Sequence, residues 1–210
     1  MRARSSSEPM RAATARASYE NPALVRAPLF QSLAEKLAED RRWVVLDIGA
    51  VRPETVAVLS DFRCRLDIAD LGQAIDALAA STEDSRLDDF VAALPVAKNP
   101  EPIDVVLTWD YLNYLERDGL AALMAAIAQR CRRGALVHAL IVYSERLMQQ
   151  QPGEFVPADA GHILERSTVK ADRIAPRYSP DDLTRCMPGY QTERVRLLAN
   201  GMQEYLFKVG

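Results

Sequence analysis

The sequence predicts an α/β fold: a Rossmann-like three-layer sandwich, mostly parallel, with a C-terminal antiparallel hairpin. Three observations predict it. The apolar run Val44-Val45-Leu46 closes in Asp47-Ile48-Gly49 and turns into a helix, as a buried first strand does when it feeds a ligand loop. Apolar runs alternate with stretches of helical spacing, which implies parallel pairing through right-handed crossovers. Near the end, two strand-like runs are joined by Asn200-Gly201, a strong short-range hairpin signal.

Each element follows in order. Residues 28–40 (PLFQSLAEKLAED) place apolar side chains at 29, 30, 33, 34, 37 and 38, with Pro28 in the first turn of the helix. Residues 43–48 are the first long strand. Pro53 opens the next helix at 53–62, with Glu54 in its first turn and Val56 and Leu59 on one side. Residues 64–69 form the second strand, ending at Asp70. Two short helices are expected at 71–80 and 86–94, then a proline loop at 95–102. No apolar β-branched run lies between 80 and 102, so a third strand is missing or very short.

Residues 103–109 (IDVVLTW) are the next strand. A helix is expected over 118–133, with Asp118 at its cap, Leu120, Leu123, Met124 and Ile127 on one face, Arg130 to Arg133 at the dipole's negative end and Gly134 as the stop. Residues 135–143 (ALVHALIVY) are another buried strand. From 144 to 180 the chain holds three consecutive Gln, four Pro and two Gly, and 145–179 reads as a lid or extended loop with a short strand within 163–169. Ser179, Pro180, Asp181 and Asp182 announce a short helix. Residues 190–199 and 202–209 flank Asn200-Gly201, for which a type I′ turn is expected.

A chain of 210 residues with 49% hydrophobic and 26% charged residues suits one α/β domain, at 28–210, behind a disordered or loosely attached tail, at 1–27. The tail carries five Arg against Glu8 and Glu20, a net +3. The total is −3, so the remainder is −6. An acidic body argues against nucleic acid as the partner. Cys64, Cys131 and Cys186 form no CxxC pattern and read as reduced thiols of a cytoplasmic protein. No apolar stretch reaches membrane-spanning length. The acid-poor start has no apolar signal region, and Pro9, the serine run 5–7 and Pro22 break any amphipathic helix there.

Candidate functional side chains gather where strands end, because open α/β sheets bind ligands at their carboxyl edge. Asp110 could be a general base, and Tyr111 and Asn113 could orient a substrate; the same motif could instead be a helix cap with aromatic packing. Tyr143 and Glu145 leave the following strand at the same edge. His138, inside that strand, reads as a packed core residue. Glu204, inside the last strand, reads as a carboxylate exposed on the pleat. His162 precedes Glu165 with no second His or Cys nearby, so no metal site is expected. No GxSxG elbow and no GxxxxGK loop occurs.

The segments VVLDIG (44–49), CRLDIAD (64–70), DVVLTWDYLNYL (104–115), GALVHALIVYS (134–144) and NGMQEYLF (200–207), in this order over about residues 43 to 209, resemble the class I S-adenosylmethionine-dependent methyltransferases, in particular small bacterial methyltransferase-like proteins. The resemblance implies S-adenosylmethionine as cofactor. It implies Asp47, Gly49 and Ala50 in the loop beneath it, Asp70, or as second choice Asp67, on its ribose hydroxyls, and Asp110, Tyr111, Asn113 and Tyr143 facing a small-molecule substrate. Asp70 could equally cap the helix after it.

Val51 and Pro53 stand where that family's loop has its second and third glycines. A β-branched residue resists positive φ, and proline holds φ near −65°. Two expectations follow: S-adenosylmethionine-dependent transfer to a small molecule, or a non-catalytic relative acting as a protein-interaction module. A nicotinamide-dependent reductase ranks below both, since its fingerprint needs the glycines even more.

Overall fold

The computed structural model describes residues 22–79, 101–166 and 173–210. Its centre is a six-stranded sheet built from β2 (Trp43–Asp47), β3 (Cys64–Ile68), β4 (Ile103–Trp109), β5 (Cys131–Val142), β10 (Tyr190–Leu197) and β11 (Met202–Val209). The spatial order is β10-β11-β5-β4-β2-β3. The strands β3, β2, β4 and β5 pair in parallel, while β11 runs antiparallel to both neighbours. Every residue of β2 and β4 is buried, as continuous apolar runs in the middle of a parallel sheet require.

Helix α1 (Pro28–Leu37) buries Leu29, Phe30, Leu33, Ala34 and Leu37, the stripe its spacing marks out. Helix α2 (Pro53–Ser60) starts on its proline, and α3 (Gly72–Ala79) follows β3. Helix α4 (Arg117–Ala128) lies against β5. Helix α5 (Pro180–Cys186) packs on α4 and β10 and begins with a full capping box: Asp182 N–H donates to Ser179 Oγ at 3.1 Å, and Ser179 N–H to Asp182 Oδ2 at 3.1 Å.

The structure differs from the sequence expectations at several points. Order begins before Pro28: Ala23–Arg26 is a strand, β1, paired antiparallel with β8 (His162–Arg166). The segment expected as an extended loop holds β6 (Leu147–Met148), β7 (Glu154–Pro157), β8 and β9 (Arg173–Ile174), arranged as the small sheets β1-β8-β7 and β6-β9. The short strand expected within 163–169 is β8; β6, β7 and β9 have only two, four and two residues, too few for an alternating pattern to mark them.

Helix α4 stops at Ala128 because Cys131 already starts β5; Arg130 to Arg133 do not complement its dipole, and Gly134 (φ 82°) lies within the strand. The hairpin loop is not type I′, since Asn200 lacks positive φ. Gly201 N–H donates to Leu198 O at 3.1 Å and Leu198 N–H to Met202 O at 2.8 Å, which leaves three loop residues with Gly201 at φ 81°. The expected helix at 86–94, the loop from 95 and the third strand lie outside the described residues, as does the tail at 1–21. No helix among the described residues is long and apolar enough to cross a membrane.

Glu204 departs furthest from the sequence expectation. It is fully buried, not exposed on the pleat. Helix α1 has no side-chain cap of its own. Instead Glu204 Oε2 accepts from Leu29 N–H at 2.9 Å and Oε1 from Phe30 N–H at 2.7 Å. His138 Nε2 lies 2.9 Å from Oε1, also fully buried. A buried carboxylate is thereby offset by two orphan helix donors, the helix's positive end and an imidazole N–H.

Glu204→Ala leaves all three donors without an acceptor, and the expected loss is about 3–5 kcal/mol of unfolding free energy. Glu204→Gln keeps one acceptor oxygen and is expected to lose about 1–3 kcal/mol. Urea unfolding measures both; equal, small losses would refute the capping role.

Candidate functional site

The carboxyl ends of β2, β3 and β4 meet at a crevice, and Asp47 lies at its floor. The Asp47 carboxylate is 1% exposed, and its Oδ1 accepts from Gly49 N–H and from Trp109 Nε1–H, both at 2.8 Å. Burial pushes this carboxyl up to about 6, against the pull of the two donors. Gly49 is needed for close approach. A Cβ there would stand 3.0 Å from Trp109 Cδ1 and 3.1 Å from Asp47 Oδ1.

Trp109 itself has φ 48°, a left-handed backbone that costs a bulky residue about 1–2 kcal/mol. The indole's hydrogen bond and its contacts with Phe30 and His138, at centroid distances of 6.1 Å each, hold it there.

Tyr111 crosses the crevice. Its hydroxyl oxygen lies 3.7 Å from where a Cβ on Gly72 would be. Burial, with Asp110 and Asp70 nearby, pushes the phenol upward. Asp70 (φ 48°) is exposed at the end of β3, and its carboxylate has no hydrogen-bond partner among the described residues.

The segment around β7 closes the crevice from above. Gly153 N–H donates to Asp110 Oδ2 at 2.7 Å, and Phe155 follows it into the opening. Two ion pairs tie this segment and β8 to the start of α2: Arg52–Glu154 at 2.8 Å and Arg166–Glu54 at 2.6 Å. The space left between Asp47, Trp109, Tyr111 and Phe155 is about 20 Å³, room for about one water.

The remaining candidates are distributed differently. Asp110 is buried, and its Oδ1 has no hydrogen-bond partner among the described residues. Burial pushes its carboxyl up to about 7, with the Gly153 N–H opposing. Asn113, 1% exposed, is committed to backbone: Nδ2 donates to Asp110 O and Leu140 O, and Oδ1 accepts from Val142 N–H. It holds the turn after β4 against β5 and is not free to orient a substrate.

Tyr143 is half exposed and does not line the crevice. Val51 is 62% exposed and does not line the crevice, whereas Trp109, Tyr111 and Phe155 do. Sequence reading missed Phe155 and the roles of Arg52 and Arg166, because all three act across long sequence separations. Among the described residues no group of three His, Cys, Asp or Glu side chains is placed to hold a metal ion.

No protein-family model matches the sequence, and no curated protein matches it. Solved structures similar to it include an S-adenosylmethionine-dependent methyltransferase from Clostridium acetobutylicum. That chain is 13% identical, with a TM-score of 0.52 over 86% of this chain and 91% of that one. Another is CalS10, an amino pentose methyltransferase from Micromonospora echinaspora in its S-adenosylmethionine-bound form. It is 14% identical, at TM-score 0.48 over 87% of this chain and 90% of that one. A third is the 1,6-didemethyltoxoflavin-N1-methyltransferase of Burkholderia thailandensis, 15% identical, at TM-score 0.47 over 86% of this chain and 78% of that one. With the first of these and the strand order above, the fold is that of the class I S-adenosylmethionine-dependent methyltransferases.

The two raised carboxyls predict a pH dependence. Folded Asp47 and Asp110 hold protons that their unfolded forms release near pH 4, so between about pH 4 and 7 the native state binds more protons. Their stabilising contribution is therefore complete below about pH 4 and is lost as pH rises through 6 and 7. Glu54, held low by Arg166, acts only below that window. Urea midpoints should fall from pH 5 to pH 8, and Asp110→Asn should flatten the fall; an unchanged slope would remove Asp110 from the account.

Proposed function

We propose that this chain is a methyltransferase-fold protein whose adenosyl crevice is filled by its own aromatic side chains, so that it does not hold S-adenosylmethionine there. The observation that carries this reading is the Trp109 indole seated on Asp47 at 2.8 Å. The residues present do not fit S-adenosylmethionine: a cofactor would have to displace Trp109, Tyr111 and Phe155 from a space of about 20 Å³.

Magnitudes support the same side. Exposing three buried aromatic side chains costs roughly 5–9 kcal/mol together. A micromolar ligand gains only about 8 kcal/mol in all. Opening would also break the ion pairs of Arg52 and Arg166.

A second reading, S-adenosylmethionine-dependent transfer to a small molecule, is favoured by one specific observation. Asp47, Gly49, Ala50 and Asp70 stand together at the carboxyl edge, and the exposed Asp70 carboxylate has both oxygens available to ribose hydroxyls.

Thermal unfolding with S-adenosylmethionine and S-adenosylhomocysteine separates the two. A ligand at 100 times its Kd adds about 2.7 kcal/mol of stability. No saturable shift is expected with either compound up to millimolar concentration. A saturable shift at micromolar concentration would overturn the first reading in favour of the second.

A further inference from the structure

We infer that the amino edge of the sheet carries an oxyanion site, suited to a phosphate group and separate from the crevice. This inference does not depend on which reading of the crevice is correct. At the strand starts of β2, β4 and β5, beside the end of β11, lies a cavity of about 220 Å³, far roomier than the crevice.

Its walls are rich in positive charge. Lys36, Arg41, Arg132, Arg133 and Lys208 line it, against Glu39, Asp104 and Glu193. Asp104 is already neutralised. Its Oδ1 pairs with Arg41 at 3.3 Å and Arg132 at 3.0 Å, while Oδ2 accepts from Val44 N–H at 3.0 Å. That buried carboxylate fixes two guanidinium groups as a floor. Lys36, Arg133 and Lys208 have no ion-pair partner among the described residues.

Backbone irregularity places these groups. The pairing of β4 with β5 passes from Ile103↔Cys131 to Val105↔Leu136, so Arg132 and Arg133 lie in a bulge that Gly134, at φ 82°, makes possible. A bulge re-aims side chains out of the regular ladder. The Lys208 stem passes over Gly134, its Cε 3.7 Å from where a Cβ would stand.

An aromatic ring beside the cavity supplies a reporter. Trp43 lines the cavity and is 4% exposed, and its Nε1–H is buried with no hydrogen-bond partner among the described residues. Arg41 stacks on the Trp43 ring, 3.1 Å from its centroid.

Chemistry selects the ligand class. Lysine and arginine groups donate and cannot accept. What satisfies them together is a compact group with several acceptor oxygens and negative charge, as a phosphate has. A cation is disfavoured by the five positive side chains of the lining. The two unpaired acids, Glu39 and Glu193, reduce the positive excess without cancelling it.

The test is a titration followed by the indole N–H signals of a ¹⁵N-labelled sample. The chain has two tryptophans, so Trp43→Phe assigns both signals. Inorganic phosphate is one titrant and glycerol 3-phosphate the other, each against potassium chloride at matched ionic strength. The Trp43 signal should move saturably and the Trp109 signal should stay; the tighter titrant tells whether a free ion or a phosphomonoester is the natural occupant.

Arg133→Gln with Lys208→Gln should weaken binding by at least about tenfold, since each variant removes a charged donor from the site. Both side chains are exposed and unpaired, so the variant's urea midpoint should match the parent's and serve as the folding control. No saturable movement beyond chloride, or undiminished binding by the double variant, overturns the inference.

Discussion

The capping of α1 by Glu204 is the interaction on which the rest of this structure depends. A carboxylate in the middle of a sheet is costly unless every lone pair is used and the charge is compensated. Here two backbone N–H groups at the start of α1 and the His138 ring engage both oxygens, and the helix's positive end lies against them. The bond fixes where α1 begins over the sheet, and so where Phe30 sits. Phe30 packs on His138 at a centroid distance of 5.7 Å and on Trp109 at 6.1 Å. Trp109 in turn bonds Asp47. One side chain each from β11, β5, β4 and β2, four neighbouring strands, is thereby joined in a single buried row. Any disturbance at one end is felt at the crevice, since interiors packed this closely transmit strain.

The same row explains why the crevice is full. Trp109 adopts a left-handed backbone that a bulky side chain avoids, and the indole's two environments, Asp47 on one side and the Phe30–His138 pair on the other, compensate for it. Gly49 then has a local purpose: it keeps a Cβ out of the indole's way. The glycine that the family resemblance reserves for a cofactor serves an aromatic side chain of the protein itself. The closing segment follows suit, with charges on both sides of Pro53 (Arg52 and Glu54) bound to Glu154 and Arg166.

The two edges of the parallel sheet have consequently become different chemical environments. At the carboxyl edge, Asp47 and Asp110 are carboxyls under aromatic cover, both pushed up by burial. At the amino edge, Asp104 is a carboxylate between guanidinium groups at the floor of an open, basic hollow. Burial without cations favours the neutral acid at the first edge.

Local signals carried much of this protein. Continuous apolar runs marked β2, β4 and β5, the spacing of Leu29, Phe30, Leu33, Ala34 and Leu37 marked α1, and Ser179-Pro180 with two acids marked α5, because each of these depends on neighbours a few residues away. The sequence also brought Asp47, Gly49, Asp70 and Asp110 to one edge, since strand ends in a parallel sheet share an edge by topology alone. Only the tertiary structure decided what those residues do. Glu204 and Leu29 are 175 positions apart, Asp47 and Trp109 62 apart, and Asp110 and Gly153 43 apart. No periodicity spans such distances. Whether a carboxylate meets water, a ligand or another part of its own chain is set by which distant segment folds over it.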